Sequence, residues 1–247
     1  MSSLIAVSSL IHGCSGNPHP NPTPTPVPTP IPSPTPPPAP PISLLHVKPG
    51  TNQFTNAEGK RVWLLGYGGV CCHEDNAVNG WTQISEPWLR ELVVHGGNFV
   101  HIRTGPYSKA LEPRPERRPF LDDGLWNPAY FAQLNSLLDL AASLGVYVEV
   151  DLIDGWALKD PANNWWHATC AILSGPPKPT YQRYVNKIVA SIGHHTNILW
   201  QIGNETGVCG TATLDWELGI VDAVHIQETT SHFPRHIMST NSDIPKV

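Results

Sequence analysis

Charge is what this sequence has least of. Asp, Glu, Lys and Arg make up 14% of its 247 residues, against about a quarter in ordinary globular chains. None of the four occurs before Lys48. The net charge of −5 supplies no basic field to hold nucleic acid. No run approaches the roughly 18 consecutive apolar residues of a membrane-spanning helix. No glycine-rich phosphate loop follows any β-rich segment, which removes the usual nucleotide-binding signature. No cysteine pair has zinc-knuckle spacing, and adjacent Cys71-Cys72 are poor joint ligands for one tetrahedral ion. With Cys170 and Cys209 they make four cysteines that suit disulfides in an oxidising compartment, with the pairing left open.

What the chain does hold is proline and tryptophan, 27 and nine residues respectively. Fourteen of the prolines fall within residues 17–41, interleaved with Thr and Ser. Such a stretch has few backbone donors and little apolar mass to bury, so it reads as an extended polyproline-type spacer. At about 3.1 Å per residue it reaches on the order of 75 Å. Ahead of it, the apolar stretch Leu4–Ile11 followed by Gly13-Cys14 resembles a bacterial lipoprotein signal, with Cys14 as the lipid anchor. It departs from that pattern in having no Lys or Arg near its start and His12 before Gly13. A plain export signal is the other reading. Either way residues 1–16 are expected to send the protein out of the cytoplasm, to a secreted or surface-tethered location.

From residue 42 the pattern alternates. β-rich runs occur at Val62–Tyr67, Asn98–Arg103, Val146–Leu152, Asn197–Gly203 and Arg235–Thr240. Helical periods lie between them. Ser85 is placed to cap a helix with Trp88, Leu89, Leu92 and Val93 inward, and Asn127-Pro128 opens a second that ends at Gly145. A third starts at Thr180 and ends at Gly193. A fourth runs from Thr213 to His225, with Leu214, Leu218 and Val221 inward. Alternation of this kind predicts an α/β fold with a parallel sheet. The extra length sits after each strand, where (β/α)8 TIM barrels build their sites. Five strands use the chain up to Thr240, whereas eight units at this spacing would need on the order of 340 residues. About the first five βα units of a barrel are therefore expected, cut before closure.

Chemistry concentrates at strand ends. Ile198-Leu199-Trp200-Gln201-Ile202-Gly203-Asn204-Glu205 is an apolar strand that stops abruptly in an amide and a carboxyl. Gly96–Arg103 puts His101 and Arg103 on one face of its strand. Both stretches resemble the retaining β-glycosidase clan with (β/α)8 barrels, the cellulase- and mannanase-like enzymes of glycoside hydrolase family five above all. The resemblance implies a retaining hydrolase of β-linked glycans, an endo-β-glucanase or mannanase, with no cofactor and no metal. It makes Glu205 the general acid/base and Asn204 the partner of the sugar 2-hydroxyl. The clan's arginine aligns with His101, with Arg103 two residues later, so Arg103 is read as a site residue and His101 as site or inner layer. The third strand ends Asp151-Leu152-Ile153-Asp154, with Ile153 where the clan has histidine. Glu149 and Asp151 share a face and read as a buried polar layer.

Further site candidates are Asp154, Tyr107, Asn163 and Asn164, together with Trp81, Trp126, Trp156, Trp165 and Trp166. These tryptophans fall in loops after strands and suit stacking against sugar rings. Trp63, Trp88, Trp200 and Trp216 are expected in the core, and His194-His195 follow a helix end as no ligand. In the clan the nucleophile ends strand seven, which places it beyond Val247, so the chain alone is expected to be inactive. Residues 42–247 are thus read as the N-terminal part of a catalytic domain, a monomer acting on a polysaccharide or oligosaccharide. A non-catalytic carbohydrate-binding protein on a degenerate barrel is the alternative. A barrel hydrolase with a metal at His73 and Asp154 is a weaker one.

Overall fold

β-branched and aromatic residues, closed off by a polar or charged residue, build the three central strands of the main sheet. A computed structural model describes residues 42–70, 81, 84–104, 118–121, 124–155, 158, 170–210 and 213–241. Three two-residue strands come first, β1 (His46–Val47), β2 (Phe54–Thr55) and β3 (Arg61–Val62), paired antiparallel in that order. Then follow β4 (Gly66–Val70), α1 (Glu86–Val94), β5 (Phe99–Arg103), α2 (Pro128–Ser143) and β6 (Tyr147–Asp151). The described elements end with α3 (Pro179–Ile192), β7 (Ile198–Asn204), α4 (Leu214–Thr230) and β8 (Met238–Asn241). Strands β4 to β8 form one parallel sheet in chain order. That order has no reversal and hence no switch point, so the doubly wound arrangement is excluded. The sheet is an arc of five strands of a (β/α)8 barrel.

The first two helices start at the caps read from sequence and the last is capped by Thr213, whereas the third begins at Pro179, one residue before Thr180, behind Lys178, which makes no side-chain cap bond. Ser85 Oγ accepts from Trp88 N at 3.4 Å, Asn127 Oδ1 from Ala129 N at 3.1 Å, and Thr213 Oγ1 from Trp216 N at 3.3 Å. Proline stands in the first turn of α1, α2 and α3, where its missing N–H costs nothing. Gly145 ends α2 at φ +75°, a left-handed position that favours glycine.

The main core lies between the sheet and its helices. Val100, Ile102, Val148, Val150, Ile198, Trp200 and Ile202 point outward into it and meet Leu134, Leu138, Tyr184, Ile188, Trp216 and Ile220. A second, smaller core closes the other side at the N-terminal ends of the strands. There Tyr147 and Leu199, with Phe99 and Ile237, pack with Leu45, Phe54, Val62 and Leu64. The β1–β3 meander thus plugs the inner apolar residues at the bottom of the arc. Tyr147 Oη anchors it by donating to the Ser43 carbonyl at 2.9 Å.

Three expectations need correction. The run Val62–Tyr67 is not one strand: Val62 ends the meander, and the barrel strand begins at Gly66. A continuous β-rich run does not reveal where the chain turns. The fourth helix is longer than expected and rotated. Leu214 and Leu218 are half exposed, while Trp216, Glu217, Ile220, Ala223 and Val224 are buried. Its apolar residues encircle it, so their spacing does not select a face. Trp63 is 72% exposed with Arg61 over its ring, and Trp88 lies partly exposed at an edge-on contact with Tyr67. Trp200 and Trp216 are buried as expected.

Buried polar side chains tie α4 to the sheet. Glu228 Oε1 accepts from Trp200 Nε1 at 2.9 Å and sits 2.7 Å from His236 Nδ1. His236 Nε2 faces the His195 carbonyl at 2.8 Å. Both ring nitrogens therefore face acceptors, so the Glu228 carboxylate and the His195 carbonyl hold the ring from its two sides. Burial pushes the Glu228 carboxyl up, but the bonds from His236 and Trp200 outweigh it, and the net direction is down from 4.5. This contribution to stability is therefore complete above pH 4.5 and disappears as pH falls through the lowered folded value. Glu228→Ala leaves Trp200 Nε1 and His236 Nδ1 buried without their acceptor and is expected to cost about 1–3 kcal/mol for each group at pH 7. Urea unfolding checks this, with the deficit shrinking under acid conditions.

Candidate active site

The period of two that sends Val100 and Ile102 outward sends His101 and Arg103 inward, and does the same for Glu149 and Asp151 on β6 and Gln201 on β7. The inner face above the apolar plug is therefore polar. Ser239 on β8 donates to Glu149 Oε1 at 2.6 Å. Burial raises the Glu149 carboxyl, and the Ser239 bond opposes that rise. His101 is buried, and its Nε2 has no hydrogen-bond partner among the described residues. Burial lowers its pKa to about 4, and the Arg103 charge pushes the same way. Gln201 and Glu205 pull in the opposite direction.

Arg103 is the cation at the centre of the mouth. Its Nη1 lies 3.4 Å from Asp154 Oδ2, with the carboxylate almost fully buried and the guanidinium nearly so. The Asn204 amide sits between these two groups. One orientation donates Nδ2 to Asp154 Oδ1 at 3.4 Å. The other lets Oδ1 accept from Arg103 Nη2 at 3.0 Å and Nε at 3.3 Å. A guanidinium can only donate, so we assign the second orientation, which satisfies the shorter contacts. Asp154 and Asn204 also form a parallel backbone bridge, with Asn204 N donating to the Ile153 carbonyl at 2.8 Å. Asp151 lies fully buried next to this group. Its Oδ1 accepts from Ile153 N at 2.8 Å. Burial, then the Asp154 charge, pushes its carboxyl well up, against the Ile153 bond and Arg103.

Glu205 follows directly at the end of β7. It is exposed, and its backbone is left-handed at φ 48°, ψ 34°. For a residue with a side chain that conformation costs on the order of 1–3 kcal/mol, and it is a recurrent feature of functional turns. A 3-10 turn, Thr206–Cys209, begins immediately after it.

The structure thus brings together Arg103, His101, Asn204, Asp154 and Glu205 around the C-terminal ends of β5, β6 and β7. Two tryptophans expected at the rim are elsewhere. Trp81 is 1% exposed and meets Tyr130 edge-on in the core. Trp126 is half-buried, stacked on Phe120 and edge-on to Phe131. Their place in loops concealed that the loops fold back onto α2. Trp156, Trp165, Trp166, Tyr107, Asn163, Asn164 and His73 lie outside the described residues. So do Cys14, Cys71 and Cys72. Among the described residues, no group of three or more His, Cys, Asp or Glu side chains is arranged to hold a metal ion. No described helix is long and apolar enough to cross a membrane.

Features that sequence reading missed include Thr104, just beyond Arg103. Its N and Oγ1 both donate to the Asp151 carbonyl, at 3.3 and 2.6 Å. Its own carbonyl accepts from Tyr130 Oη at 3.0 Å and from Tyr184 Oη. The end of β5 is therefore clamped to β6, α2 and α3. A second missed feature is the Cys170–Cys209 disulfide. Nothing in the spacing of the cysteines selects it.

No family model and no curated protein matches the sequence. The fold does match solved structures. A family 5 glycoside hydrolase from Bacteroides vulgatus aligns over 80% of this chain and 39% of its own, at 14% identity and a TM-score of 0.50. The family 5 mannosidase from Rhizomucor miehei aligns over 83% of this chain and 57% of its own, at 12% identity and a TM-score of 0.55. A mutant of that mannosidase, in complex with mannosyl-fructose, aligns over 83% and 56%, at 14% identity and the same TM-score of 0.55. The chain spans about two fifths to just over half the length of these structures. Over that span it has the fold of the (β/α)8 glycoside hydrolase barrels.

The low pKa of His101 sets a pH dependence. A folded value of about 4 against an ordinary 6.5 means that the unfolded chain takes up the proton first on acidification. The contribution is complete above pH 6.5 and lost as pH falls toward 4. The loss is expected to be on the order of 1–3 kcal/mol, read from urea midpoints at pH 7 and pH 4.5. His195, which burial and then His194 also lower to about 4, adds to the same slope. His101→Gln should remove one share of it and leave the other.

Proposed function

We propose that this chain carries the acid/base side of a retaining glycoside hydrolase acting on β-linked glycans, of the endo-glucanase or mannanase kind. The observation that carries the reading is the Asn204-Glu205 pair at the C-terminal end of the fourth parallel strand, beside the Arg103–Asp154 pair. Glu205 protonates the leaving glycosidic oxygen and then takes the proton from the attacking water. Asn204, oriented by Arg103, presents its amide to the sugar. The neutral His101 supports the floor of the pocket beneath them. The nucleophile is a second carboxylate about 5–5.5 Å from the first. We assign neither Asp151 nor Asp154 to it, because both are bound into the Arg103 and Ile153 contacts. It belongs to βα units outside these five.

The fold neighbours support the class of substrate, since one of them is described with mannosyl-fructose bound. No organic cofactor or metal enters this mechanism. Export fits the apolar start, the proline-rich spacer and the disulfide, which belongs to oxidising compartments. A monomer tethered through Cys14 is the form we propose at the cell surface.

Glu205→Gln in the full-length protein removes the acid/base group and is expected to lower turnover of an aryl β-glycoside by about 10²–10⁴-fold. A fall of less than tenfold sinks the assignment.

A further inference from the structure

The turn that carries Glu205 is held by the neighbouring β6–α3 connection at both of its described ends. At the near end, Asp154 bridges Asn204, and Gly155 lies against the Glu205 backbone. A Cβ on Gly155 would stand 2.4 Å from the Glu205 carbonyl oxygen and 2.9 Å from its carbonyl carbon. Glycine is needed there for room. At the far end, Cys170 is joined to Cys209, the last residue of the 3-10 turn that Glu205 opens. Cys209 Sγ also lies 3.7 Å from the Gly155 carbonyl oxygen, so the two ends of the clamp meet. Beyond it, Thr213 N donates to the Leu173 carbonyl at 2.9 Å and Gly175 N to Thr213 Oγ1 at 3.1 Å.

These contacts surround a residue whose backbone lies in a region that side-chain-bearing residues rarely adopt. A glutamate in the left-handed region persists only where its surroundings over-determine it. The Glu205 side chain makes no capping bond to the turn it opens, so that bond does not hold it. Val208 N donates to the Glu205 carbonyl at 3.1 Å within the turn, and the Gly155 approach on one side and the disulfide on the other tie that turn to the neighbouring connection.

We propose that Gly155 and the Cys170–Cys209 disulfide are positioning elements for Glu205, which together hold its backbone left-handed and its carboxyl at the barrel mouth. The proposal rests on the acid/base reading of Glu205 for its consequence in turnover, though not for its consequence in backbone geometry. With the disulfide open, the 3-10 turn is free to relax, and Glu205 returns toward the right-handed or extended region. Its carboxyl then leaves the line to the glycosidic oxygen, while the residues that bind sugar stay on their strands. The loss accordingly falls on kcat, with KM largely kept.

The test uses the full-length protein, oxidised and then reduced with excess dithiothreitol, and the Cys170→Ser/Cys209→Ser variant. Backbone chemical shifts of Glu205 report its φ, and aryl β-glycoside hydrolysis reports kcat and KM. Expected on reduction are a move of Glu205 out of positive φ and a drop in kcat of about 10- to 100-fold with KM changed less than about twofold. Reoxidation should restore both, and the double serine variant should match the reduced form. Should opening the disulfide unfold the domain, Gly155→Ala with the disulfide intact decides. Its methyl pushes directly on the Glu205 carbonyl and should produce the same kcat loss. Unchanged Glu205 shifts on reduction overturn the proposal, as does a kcat within twofold of the oxidised protein. If no form hydrolyses glycosides, the functional reading fails, and the Glu205 shifts still decide whether the clamp holds its backbone.

Discussion

Burial of Val100, Ile102, Val148, Val150, Ile198, Trp200 and Ile202 against α2, α3 and α4 sets the facing of the three central strands. Side chains alternate along a strand, so a slip of one residue would bring these groups inside and expose the helices' apolar faces. Once they point outward, the intervening residues have no choice. His101, Arg103, Glu149, Asp151 and Gln201 must face the interior of the arc. The polar mouth is thus a consequence of the apolar exterior. The β1–β3 meander completes the arrangement by covering the apolar first inward residues, Phe99, Tyr147 and Leu199.

Inside that mouth one guanidinium organises several oxygen-bearing groups. Arg103 pairs with Asp154, turns the Asn204 amide and helps lower the pKa of His101. The same guanidinium also opposes the rise that burial and the Asp154 charge impose on the Asp151 carboxyl.

Rigidity is distributed unevenly around this centre. Arg103 and Asp151 are fixed by strand pairing and by the Thr104 clasp with Tyr130 and Tyr184. Glu205 stands just past the last residue of β7, and its carbonyl accepts from Val208 N at 3.1 Å in the turn that follows. Its geometry also depends on neighbouring loops, through Gly155 and Cys209.

Much of this was legible in the linear chain. The five strands with their intervening helices, the Ser85, Asn127 and Thr213 caps and the chain-order parallel sheet follow from local periodicity and punctuation. The Asn204-Glu205 ending was legible too, because a strand stops abruptly where an apolar run meets an amide and a carboxyl. The meander was not, since two-residue strands carry no period. Neither was the burial of Trp81, because loop composition does not say whether a loop folds back. The sequence by itself determined which residues alternate inward and outward on β5, β6 and β7, since that depends only on covalent geometry along one strand. Tertiary structure alone decided which of the inward groups meet, that Cys170 pairs with Cys209, and that Gly155 abuts Glu205. Those contacts join residues 39 to 51 positions apart. Only the packing of separate βα units sets such distances.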